Sequence, residues 1–335
     1  MINRERRINR KSQVRETVIS CFAVPQPDRK SVIPLYIGKV WENMNPAINE
    51  VFRRYPQVGL PIAQGTRQTV LYKNAVLRGL PVAEPVENFI GDGQDSFDTL
   101  TTPAGPVDVL SLFHRADFEA AIRCLSGYCE PIDVPASMGA QTIGGLINWK
   151  KINDHKAAYL ASGRTDWDEE FGRFTAVREN FRDYLIILSM GPYSAVSARE
   201  AGETVGLAFP EEEWCRLSVV IRKFHELTHF IARKLFPENK EAIRDEIIAD
   251  AIGLTAAFGK YDPGLARLFL GLEKDSFREG GRLQIYYGEE NPASVQARAR
   301  DLIDQTAAYL NGEYSQEPEA VLQLVCEIEK NRIGL

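Results

Sequence analysis

Residues 210–259 read PEEEWCRLSVVIRKFHELTHFIARKLFPENKEAIRDEIIADAIGLTAAFG. The first part, 210–236, starts with a proline and three glutamates, which favour the first turn of a helix because its free N–H groups carry partial positive charge. Apolar residues then recur at helical spacing around much of the circumference. Pro237-Glu238-Asn239 interrupts this pattern, which resumes over 240–259. We therefore predict two helices that are joined by a short turn and pack as a hairpin.

Outward from this hairpin, most of the chain has helical spacing. This predicts a mainly α fold, with α+β as the alternative if the N-terminal half contributes a small sheet. The segment 92–106 carries turn-forming residues and is predicted to be a loop. Gly191-Pro192 should end the element that precedes the hairpin. Further helices are predicted over 40–55, 116–129, 139–161, 166–190, 294–310 and 317–332.

The sequence pattern divides the chain into three predicted parts. Residues 31–160 form an N-terminal lobe whose role the sequence does not indicate, and 161–335 form a helical lobe that contains the hairpin. Residues 1–30 form a flexible basic arm, which we interpret as a solvated tail rather than a nucleic-acid contact because short charged termini are usually disordered. The basic residues of the arm are Arg4, Arg6, Arg7, Arg10, Lys11 and Arg15.

Composition indicates a soluble globular protein. The chain has 335 residues, of which 44% are hydrophobic and 26% charged, so it can bury a substantial core. Its apolar runs fall short of the roughly 20 residues that cross a bilayer as a helix, and no apolar run follows the N-terminal charges. We therefore expect no membrane association and a cytoplasmic location. Five scattered cysteines without a Cys-x-x-Cys pair favour reduced thiols over disulfides or a thiolate metal site.

His225 and His229 are two of only four histidines in the chain. Because an α-helix repeats every 3.6 residues, positions i and i+4 share a face, and both imidazoles can reach one metal ion at roughly 2.0 to 2.1 Å. Glu226 lies about 100° further round the helix. From there it can contact a water molecule on the metal without becoming a ligand, which is the position that a general base requires.

A catalytic zinc site usually has three protein ligands and one open position, so a third ligand is needed. A metzincin would carry a glycine and a third histidine at the positions of Ala232 and Leu235, which excludes that class. A deformylase-like site would use a cysteine thiolate. Cys215, however, precedes His225 by ten residues on the same predicted helix, too far along the axis to reach the same ion.

The second helix of the hairpin offers Glu246 and Asp250, which are also spaced i, i+4 and face the same way. Glu246 can supply the third ligand when the two helices pack. Asp250 can accept a hydrogen bond from the free ring N–H of a ligating histidine, and His225 is the better placed of the two. Such a carboxylate fixes the orientation of the ring and raises its basicity.

These motifs resemble the zinc-binding core of the gluzincin metallopeptidases. The residues that carry the resemblance are HELTH at 225–229, the pattern E-x-x-A-D-x-x-G-L at 246–254 and GKYDP at 259–263. Among gluzincins, they are most similar to the CaaX-prenyl-protease-type family. Only 16 residues separate His229 from Glu246, fewer than is usual in that family, and the membrane helices of its best-known members are absent. The resemblance implies a zincin-like helical core and Zn²⁺ as cofactor.

Hydrolysis also requires a group that stabilises the developing oxyanion. The downstream candidates are Tyr261, Arg282, Tyr286 and Tyr287. We interpret His114 and His155 as ordinary surface or core residues rather than ligands. The run PASMGAQTIGGLINW at 135–149 combines small residues with a terminal Asn-Trp pair. It either lines a cleft or forms a tight packing junction, and both interpretations remain open.

The sequence thus predicts a zinc-dependent metallopeptidase that acts on a protein or peptide substrate. His225, His229 and Glu246 would bind Zn²⁺, and Glu226 would take a proton from the metal-bound water as that water attacks an amide carbonyl. The alternative is a non-catalytic zinc protein that binds a partner or has a regulatory role. We expect no nucleic-acid partner, and the sequence indicates no oligomeric state.

Overall fold

The structure is a computed structural model that describes residues 45–273 and 276–334, so the predicted arm lies outside the described residues. Helices make up most of the regular structure, which confirms the mainly α prediction. No helix in these two ranges is both long and apolar enough to cross a bilayer. In chain order the helices are α1 (Pro46–Arg54), α2 (Val70–Arg78), α3 (Arg115–Leu125), α4 (Trp149–Ala161), α5 (Trp167–Ala176), α6 (Ala198–Val205), α7 (Glu211–Leu235), α8 (Ala242–Phe258), α9 (Pro263–Leu270), α10 (Pro292–Tyr309) and α11 (Pro318–Lys330).

One small sheet accompanies the helices in the described part of the chain. Strands β1 and β2 form an antiparallel hairpin, β2 and β4 are parallel, and β3 is antiparallel to β4. The strand order is β1-β2-β4-β3, so β3 is an edge strand. The outer side of β3 therefore faces no other strand among these residues. The strands are β1 (Ser96–Thr102), β2 (Gly105–Leu112), β3 (Ala140–Ile147) and β4 (Arg182–Ser189).

Strand β4 separates two apolar cores. Successive side chains of a strand point to opposite faces. Leu185 and Ile187 therefore join a core formed with the N-terminal helices, whereas Ile186 and Leu188 join the core of the helical hairpin. The two faces of β4 are both covered, which explains its uninterrupted apolar run. The predicted boundary near residue 160 lies in α4, between two paired strands of this sheet, since β3 precedes it and β4 follows it.

The helical hairpin forms as predicted, with α7 and α8 joined by a single 3-10 turn at Pro237–Asn239. Gly253 of α8 allows the two helices to approach closely. A Cβ atom at this position would lie 2.5 Å from the carbonyl oxygen of Ile221 on α7. Gly259 ends α8 with φ of 72°, a left-handed conformation that glycine adopts without steric cost. The hairpin is therefore fixed by close backbone contact as well as by apolar packing.

The predicted loop at 92–106 is wrong from Ser96 onward, where the chain forms β1 and the start of β2. The turn between the strands is held by the Thr102 hydroxyl, which donates to the carbonyl of Gly105 at 2.7 Å and accepts from the N–H of Ala104 at 3.1 Å. Gly105 adopts φ of 100°. Threonine and phenylalanine in β1 favour a strand, but β1 lies at the sheet edge and lacks a clear apolar alternation.

Two predicted helices contain strands instead. Residues 140–147 of the predicted helix at 139–161 form β3, and α4 starts only after Asn148, whose side chain accepts from the N–H of Lys151 at 3.0 Å. In the predicted helix at 166–190, α5 ends at Ala176 and β4 follows. Short apolar runs fit both a buried strand and a buried helix, so spacing alone did not separate these possibilities. Gly191-Pro192 does follow the end of the apolar element, but that element is a strand.

We expect Gly253→Ala to destabilise the protein by about 1–3 kcal/mol, because the new methyl group would force α7 and α8 apart. The matched control is Gly172→Ala in α5, where a Cβ atom would meet nothing within 4 Å. The control should be stabilised by about 0.5–1 kcal/mol through a lower loss of backbone entropy. Chemical denaturation measures both changes. Equal free energies of unfolding for the two variants would contradict close backbone contact in the hairpin.

Candidate metal centre

Two side chains of α7 and one of α8 form a cluster of possible metal ligands. The Nε2 atoms of His225 and His229 are 3.1 Å apart. Glu246 places Oε2 3.4 Å from Nε2 of His225 and Oε1 3.3 Å from Nε2 of His229. All the possible ligand atoms lie within 4.8 Å of one another. The hairpin therefore brings the three residues predicted as ligands to one point, where they can hold a metal ion.

The ring of His225 is oriented by Asp250. Its Nδ1 lies 2.9 Å from Oδ1 of Asp250, which is 0% exposed. Because an ionised carboxylate only accepts hydrogen bonds, Nδ1 carries the proton. In the neutral ring, Nε2 is then the atom with a free lone pair, and it points into the cluster. His225 and His229 are themselves 7% and 5% exposed, so the nitrogens that face the cluster are largely shielded from solvent.

The charges around the cluster shift pKa values in a consistent way. Burial lowers the pKa of His225, but the hydrogen bonds and negative charges of Asp250 and Glu246 outweigh burial and raise it to about 9. Burial raises the pKa of Glu246, but its hydrogen bonds with the two histidines hold that pKa well below its usual range. Both pKa shifts mean that positive charge is favourable between the histidines and the carboxylate. A bound cation meets that need in place of protons.

Glu226 follows His225 on α7 and is not one of the three clustered residues. Its Oε2 accepts a hydrogen bond of 2.6 Å from the hydroxyl of Thr142, on edge strand β3. The side chain of Glu226 is half-buried, so it keeps some access to solvent. One carboxylate oxygen of the residue that follows His225 is thus held by the sheet. The sequence did not indicate Thr142, because nothing local in β3 relates it to a helix more than 80 residues later.

Tyr193 is a second residue that the sequence did not indicate. Its hydroxyl donates to Oδ1 of Asp250 at 2.7 Å and lies 2.9 Å from Nδ1 of His225. The next two residues, Ser194 and Ala195, have φ of 53° and 57°, left-handed values that non-glycine residues rarely adopt. Such strain persists only where the surrounding structure enforces it, and it clusters at functional sites. No sequence pattern reports this conformation.

A buried cation completes this side of the site. Arg222 precedes Glu226 by one helical turn and is 5% exposed. Its guanidinium donates to the carbonyl oxygens of Ser189, at 2.6 Å, and of Gly191 and Pro192. Burial lowers its pKa to about 10. Its one signal in the sequence is a charged residue on the inward face of a largely apolar helix.

The downstream candidates for oxyanion stabilisation occupy different places. Arg282 pairs with Asp250 and donates to the hydroxyl of Tyr193, so it supports the histidine rather than the open side of the cluster. The hydroxyl of Tyr287 accepts from Gln296, and that of Tyr261 is buried without a hydrogen-bond partner in the described residues. Tyr286 remains. Burial raises its pKa, and the charge of nearby Glu246 raises it further.

The remaining histidines lie outside the cluster, as expected. His114 is 3.7 Å from a carboxylate oxygen of Asp92, and His155 is 2.7 Å from one of Glu170 and stacks on the ring of Phe174. The run at 135–149 proves to contain β3 and the first residue of α4, so it contributes Thr142 to the site.

The chain belongs to a family of unknown function. The model of the Family of unknown function (DUF7005) matches residues 23–323, which is most of the chain. No curated protein and no solved structure matches the chain at a significant level. The description of the family assigns no activity, so the function must be inferred from the chemistry of the site.

We expect the purified protein to bind one zinc ion per chain and His225→Ala to lose it. Asp250→Asn should weaken zinc affinity by about 10- to 100-fold, because it loosens the orientation of the His225 ring. His155→Ala is the matched control, since His155 lies outside the cluster, and it should bind zinc like the native protein. Atomic emission gives the metal content, and competition with a chromophoric chelator gives the affinity.

Circular dichroism of each variant shows whether the fold is retained. Folded native protein that binds no zinc would contradict the proposed centre. Equal zinc affinity in the His225→Ala and His155→Ala variants would do the same.

Proposed function

We propose that the protein is a zinc-dependent metallopeptidase with a gluzincin-like, zincin-type helical core. The observation that carries this proposal is the relation of Glu226 to the cluster. Three possible ligand atoms converge within 4.8 Å, and the neighbouring carboxylate stands apart from them, half-buried and oriented by Thr142. A catalytic centre requires a general base that is not a metal ligand, whereas a purely structural centre does not.

The donor set fits zinc. Two imidazole nitrogens and one carboxylate oxygen are typical protein ligands of catalytic zinc, and Asp250 supplies the outer hydrogen bond that such sites usually show. A zinc ion held by His225, His229 and Glu246 would polarise a substrate carbonyl and lower the pKa of water at the site. Among the described residues, the group holds these three possible ligands, so a zinc ion bound by them would keep a position for water.

Glu226 would act as the general base and then as the general acid. It accepts a proton from the water that attacks the amide carbonyl and passes the proton to the departing amine. The hydrogen bond from Thr142 occupies Oε2, so Oε1 remains to take the proton. Proton transfer of this kind typically accelerates a reaction by about 10²- to 10⁴-fold.

Tyr286 is the candidate that we assign to the oxyanion. Of the other downstream residues, Arg282 supports Asp250, the Tyr287 hydroxyl is held by Gln296, and the Tyr261 hydroxyl is buried without a partner in the described residues. Tyr286 is half-buried and its hydroxyl is hydrogen-bonded to the ligand Glu246, so this hydroxyl would turn from that carboxylate to the oxyanion. A phenol hydroxyl stays protonated at neutral pH, so it can donate a hydrogen bond to developing negative charge.

The second candidate function is a non-catalytic zinc protein that binds a partner. The low exposure of both histidines favours this alternative, since a structural centre is closed to solvent. Against it stand the three-ligand set and the position of Glu226. A fourth ligand from the chain would decide for a structural centre, and a metal-dependent cleavage would decide for the enzyme.

Glu226→Gln should reduce peptide cleavage by about 10²- to 10⁴-fold, because the amide cannot take a proton from water. Zinc content should be unchanged, since Glu226 is not a ligand. The assay is release of dye from a fluorescein-labelled denatured protein. Glu213→Gln, in the exposed first turn of α7, is the control and should cleave like the native protein. Full activity in the zinc-loaded Glu226→Gln variant would show that the proposed role is wrong.

Tyr286→Phe should lower kcat by about 10²- to 10³-fold, the usual effect of removing one oxyanion donor. KM should change little, because the ring remains in place. Loss of the hydrogen bond to Glu246 should weaken zinc binding, so kcat is measured on the zinc-saturated protein. Tyr287→Phe is the matched control, since the Tyr287 hydroxyl binds Gln296 instead. If the two variants have the same kcat, Tyr286 does not stabilise the oxyanion.

A further inference from the structure

A strip of surface leads away from Glu226 between α7 and the edge strand β3. On α7, Glu226, Phe230 and Lys234 follow at four-residue intervals and therefore share a face. On the sheet side, Thr142 contacts Glu226, and the ring of Tyr184 on β4 packs edge-on against Phe230 at 5.2 Å. The exposed residues of the strip are thus joined to the candidate metal centre through the ring of Phe230, which is buried.

The sheet side of this strip is open. Gly144 and Gly145 of β3 have no side chains, and a Cβ atom at Gly144 would lie 2.7 Å from the Tyr184 ring. The ring therefore lies directly over the backbone of the edge strand. Tyr184 is nevertheless 44% exposed, although β4 is a central strand of the sheet. The exposed face of its ring can accommodate another chain.

Three cations lie along this part of the sheet, one beside the Tyr184 ring and two beside Gly145. We call Arg178, Arg182 and Lys234 the basic strip. The ammonium group of Lys234 lies 5.6 Å from the centre of the Tyr184 ring. Arg182 donates to the carbonyl of Gly145 at 2.6 Å. A Cβ atom at Gly145 would lie 3.7 Å from the Arg178 guanidinium and 3.9 Å from that of Arg182, so the two arginines flank the same glycine.

The basic strip has no counter-charge among residues 45–273 and 276–334. None of its three cations forms an ion pair with a described carboxylate, although most arginines that pair do so within one helical turn. Burial lowers the pKa of Arg182, and the neighbouring charge of Arg178 lowers it further. The net charge of the chain is −6, so this positive surface runs against the overall sign.

We infer that the basic strip binds an extended polypeptide segment that carries acidic side chains. In this arrangement Lys234, Arg178 and Arg182 pair with carboxylates, and the backbone of the segment lies along the Tyr184 ring. The inference deepens the proposed function, on which it rests, by naming the class of substrate. Eight residues of helix separate Glu226 from Lys234, or about 12 Å along the axis. Acidic residues three to four positions from the cleaved bond would span that distance in an extended chain.

The test is fluorescence anisotropy with three labelled peptides of equal length, which carry glutamate, glutamine or lysine at the same positions. The protein is the zinc-loaded full chain with Glu226→Gln, so that cleavage does not disturb the measurement. We expect the glutamate peptide to bind most tightly and to weaken as salt is raised. The double variant Arg178→Glu/Lys234→Glu should bind it about tenfold more weakly.

The matched control is Arg199→Glu/Arg216→Glu, which changes the net charge equally at two exposed positions with ion pairs of their own. It should change the affinity less than about twofold. Equal binding of the glutamate and glutamine peptides would overturn the inference, as would equal losses in both double variants. Tighter binding of a single-stranded DNA of similar charge would also overturn it, in favour of a nucleic-acid partner.

The two proposals fail in different ways. Charge-selective binding without any cleavage by the native protein would leave the basic strip standing and contradict the peptidase. Cleavage that requires Glu226 but is indifferent to acidic residues would leave the peptidase standing and contradict the role of the strip.

Discussion

The fold depends on pairing the carboxylates that α8 buries with a histidine of the packed helix α7. Helix α8 is apolar along most of its length, yet it carries Glu246 and Asp250 on one face. Carboxylates buried among apolar side chains must be paired, or they destabilise the fold. His225 lies between them, 2.9 Å from Asp250 and 3.4 Å from Glu246. The contacts that pack α7 on α8 therefore also assemble the candidate site.

This matching extends beyond the hairpin. Asp250 is paired with Arg282 from the 3-10 turn at Arg282–Tyr286 and with the hydroxyl of Tyr193 from the loop after β4. One carboxylate thus ties together α8, α7, the sheet and a downstream turn. Burial would raise the pKa of Asp250, but the charge of Arg282 holds that pKa below its usual range. Displacement of the hairpin would leave the charges of Asp250 and Arg282 buried without partners, which would destabilise the fold.

The hairpin was predictable from the sequence alone, because residues at i and i+4 of a helix share a face in any fold. The short turn at Pro237–Asn239 also left few ways to place its two helices. The sheet was not predictable on the same grounds. Strand β4 is buried on both faces, so its apolar run lacks the alternation that identifies a strand. Thr142 and Tyr193 reach the site through the order β1-β2-β4-β3, which is set by contacts between distant segments that no local pattern relates.

Arg222 shows that α7 fixes the loop after β4 as well as carrying the histidines. Its guanidinium donates to the carbonyl oxygens of Ser189, Gly191 and Pro192, where the chain leaves β4. The loop that it holds presents Tyr193 and then passes through two left-handed residues, each costing roughly 1–3 kcal/mol. Hydrogen bonds on either side of the strain, from the Tyr193 N–H to Ser218 and from the indole of Trp214 to the Val196 carbonyl, also come to or from α7. The helix that carries the histidines therefore also fixes the strained loop that orients them, and a shift of α7 would disturb both together.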